Sequence, residues 1–300
     1  EQDQAEVTVV DTLEPHLHAT VEHLRPVWDR IRFVRGDLRD EYLLADVVQD
    51  QDLIFNCAAQ TSHPLSTQFP LLDSEINCGG SLKLLEAVRL LSPEAVVVYT
   101  SSSTVIGRAT NGVVNEDHSE RPLDIYSANK GAAEKYYSIY NSLHGLKTVV
   151  LRFANLYGPF GKGFPEFGFV NYFIHQAWAH DQIRIFGAGH QTRNVMYVRD
   201  AVDVLWKAAH HPELYGEILF ATGDEHLEIR KIAESIVRVF GRGSLDCDVE
   251  WPEERRRIEV DSVTYSSERL RSLIDWSPNF DFEAGLRETF QILVAGESSL

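Results

Sequence analysis

Five short runs rich in β-branched and aromatic residues, separated by stretches with helical spacing, constrain this chain more than any other feature. They are residues 6–11, 31–38, 52–60, 94–100 and 146–153. Near-continuous apolar runs of this length fit strands buried on both faces, as in parallel sheets. Between them, residues 16–27 (broken by Pro26), 39–50, 73–91 and 127–143 carry helical patterns. In the third, Leu82, Leu84, Leu85, Val88 and Leu91 make an apolar stripe. Gly79-Gly80 within it weakens the helix and predicts close packing against a flat neighbour. Strand and helix alternating through residue 153 predict an α/β fold with a doubly wound parallel sheet.

Such a sheet binds ligands at the carboxyl ends of its strands. The residues there are therefore the first candidates for chemistry. Asp11 ends the first run, where a carboxylate can accept hydrogen bonds from a ribose diol, or simply begin a turn. Gly36-Asp37 follows the second run, and the small residues Cys57-Ala58-Ala59 end the third, so that a ligand can approach the backbone. Thr100-Ser101-Ser102-Ser103 ends the fourth. Tyr126 and Lys130, four apart on a predicted helix, point the same way. An ammonium beside a phenol lowers its pKa and brings it toward proton exchange at neutral pH. The same spacing also fits an ordinary amphipathic helix, so the pair by itself decides nothing.

Beyond Tyr157-Gly158-Pro159 the pattern becomes irregular, with helices predicted at 170–179, 198–210, 229–239 and 282–295 and strands at 182–186 and 216–221. The glycine-rich stretch 161–168 lacks a phosphate-loop spacing. The expected division is a Rossmann-type, doubly wound domain at 1–157 and a smaller lobe, interwoven with it, at 158–300. The net charge of -17 excludes a general nucleic-acid binder. No apolar run reaches membrane-spanning length. Three widely spaced cysteines, Cys57, Cys78 and Cys247, form no metal-ligand pattern and suggest a reducing, cytoplasmic setting.

Taken together in order, these motifs resemble a family. They are Val10-Asp11; Gly36-Asp37-Leu38; Asn56-Cys57-Ala58-Ala59; Asn77-Cys78-Gly79-Gly80-Ser81; Ser101 to Gly107; Tyr126-Ser127-Ala128-Asn129-Lys130; Arg152 to Pro159; and Arg193 to Asp200. The chain resembles the extended short-chain dehydrogenases/reductases of the nucleotide-sugar epimerase/dehydratase group over nearly all of its length. The resemblance implies NAD as cofactor and a nucleotide diphosphate sugar as substrate. It implies Tyr126 as general base, Lys130 as its activator and ribose contact, and Ser102 as the catalytic hydroxyl. Cofactor contacts are implied at Asp11, Asp37, Leu38, Ala58, Ala59 and Asn77, besides Tyr126 and Lys130. Ser103, Thr104, Asn155 and Arg193 are implied to face the substrate, and helices 81–91 and 131–143 to form a homodimer interface.

Related dehydratases carry an Asp-Glu pair just after the catalytic hydroxyl, and related decarboxylases a Glu. Here Ser103 and Thr104 stand there and cannot do that acid–base work. An epimerase, acting at C4, is therefore expected; a dehydratase, decarboxylase or reductase, or a non-catalytic NAD(P)-binding protein, are the alternatives. His63 and His118 lie near active-site loops in sequence but read as surface histidines. The family's first βα unit, with its Gly-x-x-Gly-x-x-Gly turn, would precede Val7 and is not in these 300 residues; the expectation is that the natural protein carries it. Asn194 and Arg199 also depart from the family pattern. Trp251 stands where an epimerase has a phosphate-binding Arg, and one of Arg255, Arg256 and Arg257 is a candidate substitute.

Overall fold

The computed structural model describes residues 5–109, 112–253, 256 and 262–297; Arg255 and Arg257 lie outside the described residues. The strands are β1 (Val7–Asp11), β2 (Ile31–Arg35), β3 (Leu53–Asn56), β4 (Val96–Ser102), β5 (Val113–Val114), β6 (Lys147–Phe153), β7 (Asn155–Tyr157), β8 (Gln182–Phe186), β9 (Thr192–Tyr197), β10 (Ile218–Ala221), β11 (His226–Glu228), β12 (Ser244–Val249) and β13 (Thr264–Tyr265). The helices are α1 (Glu41–Val47), α2 (His63–Gln68), α3 (Pro70–Ser74), α4 (Ser81–Leu91), α5 (Ile125–His144), α6 (Phe169–Trp178), α7 (Val198–His210), α8 (Ile229–Phe240), α9 (Glu268–Leu273) and α10 (Phe282–Glu297).

Four parallel strands in the order β10-β6-β4-β3 form the main sheet, and among the described residues β1 pairs in parallel only with β2. Alternate residues of the central strands serve two cores, as the pleat requires. Val97, Tyr99 and Val150 pack with Leu84, Leu85 and Val88 of α4 and Ala133 and Tyr137 of α5. Val96, Val98, Val149 and Leu151 pack on the other face with Val204 and Ala208 of α7 and Leu270 of α9. The runs of β4 and β6 are thus buried on both sides, as their composition predicts, whereas β1, β2 and β3 are mostly half-buried, with Val7 and Phe55 exposed. The second half returns to the sheet through α7 and β10, and builds its own core from Ile174, Ile183, Val195, Ile232, Ile236 and Leu286.

Three expectations are corrected. Residues 16–27 form two 3-10 stretches, Pro15–Leu17 and Glu22–Arg30, in place of one α-helix. Pro26 removes a donor there and disfavours α geometry in the residue before it. The helix expected over 73–91 is α3, a π-helical stretch Glu75–Gly80, and α4. Gly80 faces Leu38, whose side chain would lie 3.4 Å from an added Cβ, an ordinary contact distance, so the tight packing expected at Gly79-Gly80 is not found. Of the stripe, Leu84, Leu85 and Val88 are buried, but Leu82 and Leu91 stay exposed. The third strand stops at Asn56, because its side chain accepts the Ala58 N–H at 3.2 Å and donates to the Tyr137 hydroxyl at 2.8 Å. Strands β7, β9 and β11 carry no readable periodicity in the sequence, being three to six residues long.

Candidate active site

Strand β4 ends on Ser102, and a 3-10 turn, Ser103–Ile106, comes next. Helix α5 begins beside it. Asp124 caps that helix by accepting the Ser127 N–H at 2.8 Å, which fixes where Tyr126 and Lys130 emerge. Tyr126 is 9 % exposed and Lys130 2 %. The Ser102 hydroxyl lies 2.8 Å from Thr104 Oγ1 and near enough to the Tyr126 phenol to favour its ionised form. Ser102, Thr104, Tyr126 and Lys130, which the sequence spreads over two separate segments, therefore share one site at the sheet's carboxyl edge.

Electrostatics differ here from the sequence expectation. Burial pushes the Tyr126 phenol well above its usual range; the Ser102 hydroxyl opposes this, and the Asp124 and Asp73 carboxylates add to it. Lys130 does not supply the lowering. Its ammonium donates to the Thr100 carbonyl at 2.6 Å and sits 4.2 Å from the centre of the Tyr99 ring. Burial brings that ammonium down to about 8, against the pull of Cys57, Glu134, Asp73 and Cys78.

A buried polar frame holds the pair in place. One turn beyond Lys130, Glu134 is fully buried and accepts hydrogen bonds from Ser101 Oγ at 2.5 Å and from Arg152 at 2.9 and 2.6 Å. Arg152 also reaches Glu120 at 2.5 Å. On the opposite side, buried Asp73 accepts from Gln60 Nε2 and from Asn129 Nδ2, each at 2.7 Å. His63 Nδ1 lies 2.5 Å from Asp124 Oδ2, and the imidazole meets the Tyr126 ring edge-on at 4.7 Å. His63 is thus tied into the site while its side chain stays about one-third exposed, at 34 %. His118 closes a local turn with Asn115, at 2.9 Å.

The expected cofactor residues divide. Ala58 is exposed and Ala59 half-buried at the end of β3, leaving their backbone approachable. Asp11 ends β1 with one carboxylate oxygen taken by the Leu13 N–H at 2.7 Å. Asp37 is held by Arg39, at 2.7 and 3.0 Å, and that guanidinium keeps its carboxyl below the usual range. Leu38 packs against Gly80. Asn77 is buried and spends its amide on the Gln60 main chain, donating to the carbonyl at 3.0 Å and accepting the N–H at 3.1 Å. It therefore shapes the loop after β3.

Among the expected substrate residues, Ser103 is buried near Tyr265, a ring stacked on Phe220 at 5.4 Å and close to the Arg193 charge. Asn155 Nδ2 donates to the Asn194 carbonyl at 2.8 Å, and Arg193 donates to the Thr192 carbonyl at 2.9 Å. Asn194 is itself a latch, bonded both ways to Gly223. Arg199 pairs with Glu288 at 2.7 Å, and Trp251 packs on Phe186 at 5.4 Å. Sequence reading missed Tyr265, Asp73, Gln60 and the His63–Asp124 pair. Asp124 was findable, since an Asp opening a helical pattern is an N-cap signature. Tyr265 carries no such signal; only β13 pairing with β5 brings it here.

Residues 1–219 match the family model described as the NAD dependent epimerase/dehydratase family. A putative UDP-glucose 4-epimerase of Methanocaldococcus jannaschii is 28 % identical over 260 residues, 86 % of this chain and 82 % of that protein. A dTDP-glucose 4,6-dehydratase of Streptomyces niveus is 29 % identical over 296 residues, 95 % of this chain and 83 % of that one. The solved structure of a UDP-N-acetylglucosamine 4-epimerase from Methanobrevibacter ruminantium superposes with a TM-score of 0.85 at 26 % identity, over 97 % of this chain and 91 % of that chain.

Proposed function

Since the chain belongs to the NAD-dependent epimerase/dehydratase family, we propose that it epimerises a nucleotide diphosphate sugar at C4, with Tyr126 as general base. Similarity does not choose the chemistry, because an epimerase at 28 % and a dehydratase at 29 % stand equally near. The observation that carries the reading is the state of the two residues directly after Ser102. Ser103 is buried beside Tyr265, and Thr104 Oγ1 is bonded to Ser102 and Ser127. Neither hydroxyl can act as the acid and base that elimination of water from a sugar requires at neutral pH.

The residues present fit NAD at both ends of the dinucleotide. Asp11 keeps one carboxylate oxygen outside its bond to Leu13, suited to a ribose diol, and exposed Ala58 leaves room beside the pyrophosphate path. Lys130, with two ammonium protons beyond its bond to Thr100, suits the nicotinamide ribose. Asp37 fits less well, its carboxylate being held by Arg39. NAD held there would supply reversible hydride exchange with the sugar carbon. Tyr126 takes the proton of the reacting hydroxyl and gives it back. Ser102 holds the sugar oxygen and the phenol together, and Arg193 and Asn155 face the nucleotide diphosphate.

Incubation with a panel of nucleotide diphosphate sugars and NAD, with products read by NMR, tests the reading. Inversion at C4 with mass conserved is expected; loss of water or carbon dioxide overturns it. We further read the 158–300 half as the substrate lobe. Exposed Leu82, Leu90 and Leu91 on α4 and Ile139 and Leu143 on α5 suit a homodimer built from those helices. Light scattering that finds a monomer at all concentrations rejects the dimer. Among the described residues no helix is long and apolar enough to cross a membrane.

A further inference from the structure

One buried carboxylate joins the loop that follows β3 to the helix that carries Tyr126 and Lys130. Asp73 lies on α3 and is fully buried. Its Oδ2 accepts from Gln60 Nε2 and its Oδ1 from Asn129 Nδ2, each at 2.7 Å. Gln60 directly follows Ala59, and Asn129 directly precedes Lys130. The two oxygens of one side chain therefore reach both segments expected to hold the cofactor. We propose that Asp73 is a positioning residue: its carboxylate ties the loop after β3 to α5, so that Ala58, Ala59 and Lys130 are held as one unit for NAD. The inference rests on those three residues as cofactor contacts, and adds a group that sets their relative placement from behind.

The hydrogen bonds around Asp73 require an acceptor at each of its oxygens. The Gln60 amide is fixed in orientation: its Oε1 accepts the Ser62 N–H at 2.5 Å, and its Nε2 also donates to the Ser62 carbonyl at 2.8 Å. Asn77 grips the Gln60 main chain as well, donating to the carbonyl at 3.0 Å and accepting the N–H at 3.1 Å. The Asn129 amide is oriented by Cys78, whose Sγ donates to Asn129 Oδ1 at 3.3 Å. Both amides thus turn an NH2 group toward Asp73. A carboxylate satisfies two such donors, whereas an amide side chain has one acceptor and would set its own NH2 against the other donor. Glu134, the other buried carboxylate near Lys130, is paired with the Arg152 guanidinium; the hydrogen-bond partners of Asp73 are neutral. Folding alone does not ask for this, because an apolar side chain would fill the space without burying a charge against neutral partners. What the carboxylate supplies is a two-armed link between segments that belong to different elements. Its charge also acts on Lys130: burial weakens that ammonium's hold on its proton, and Asp73 is among the groups that oppose this.

Calorimetric titration of the full chain with NAD tests the link, using Asp73→Asn, Asn129→Ala and the exchange variant Asp73→Asn/Asn129→Asp. In the exchange variant the amide at position 73 accepts from Gln60 and donates to the carboxylate at position 129, so both arms are remade. Each single variant should bind NAD about tenfold more weakly, and the exchange variant within about threefold of the parent. Ser92→Ala is the control for stability alone: it removes a buried hydroxyl that donates to the Val48 carbonyl at 2.8 Å, ahead of β4 at the amino-terminal edge of the sheet. It should lower the melting temperature and leave NAD affinity unchanged. Single variants within about twofold of the parent, an exchange variant no tighter than the singles, or an equal loss in Ser92→Ala overturns the link. If Asp73→Asn does not fold, Asn129→Ala and the exchange variant carry the same comparison. The titration contains no sugar, so a wrong C4 assignment leaves it standing; a parent that binds no NAD overturns the cofactor contacts and the link together.

Discussion

The α5–β4 corner and the β1–β2 pair both carry polar groups beyond the carboxyl ends of parallel strands, but they hold them differently. At the corner, Lys130, Glu134, Arg152 and Asp73 are almost fully buried, and each is braced by groups from other elements. On β1–β2, Asp11 and Asp37 are satisfied by neighbours two residues away, Leu13 and Arg39. Buried charge is tolerated only where partners are fixed, and fixed partners are also what holds a reacting group in one geometry. The corner is preorganised for chemistry, whereas the strand pair presents local, solvent-facing groups suited to binding.

Variants can break or sharpen this contrast. Tyr126→Phe should lower kcat roughly a thousandfold with little change in melting temperature or substrate affinity, since it deletes one proton-carrying atom. Persistent turnover would show that another group is the base. Glu134→Ala should destabilise by about 3–5 kcal/mol in urea titration, because Arg152 keeps only Glu120 of its two carboxylate partners. A loss under about 1 kcal/mol would mean that water enters and the frame is soft.

Lys130→Met should abolish activity yet raise stability at neutral pH by about 2 kcal/mol, since the folded state holds the ammonium at a cost. Linkage sets the sign of its pH dependence. Between about 8 and the ordinary 10.5 the unfolded chain binds the proton that the folded one has lost, so the parent's stability rises with pH there. The variant's advantage should be constant below that window and shrink across it; an advantage that does not vary with pH would contradict the buried-ammonium reading. Asp11→Ala should give the smallest effect, about tenfold weaker NAD binding by calorimetry with unchanged stability, because its carboxylate braces only its own turn. Unfolding of that variant would show that β1–β2 is more tightly coupled to the rest than its hydrogen bonds indicate.

Much of this was legible in the residues. Runs such as Val96–Tyr99 and Val149–Leu151 must be buried on two sides, because nothing along them alternates with polar residues. That fixes a parallel sheet with helices on both faces. Tyr126 and Lys130 share a face because four residues make about one helical turn, and the absence of carboxylates at Ser103 and Thr104 is a matter of residue identity. Tertiary structure alone decided which hydrogen bonds these groups make. It turned the Lys130 ammonium to Thr100, away from the role of lowering the Tyr126 phenol, and spent Asn77 on Gln60. It also brought His63, Asp124 and Tyr265 to the site from segments up to 202 residues apart. Periodicity reports which side of an element is buried; it carries no information on the partner a polar group finds, because that partner arrives from a distant part of the chain.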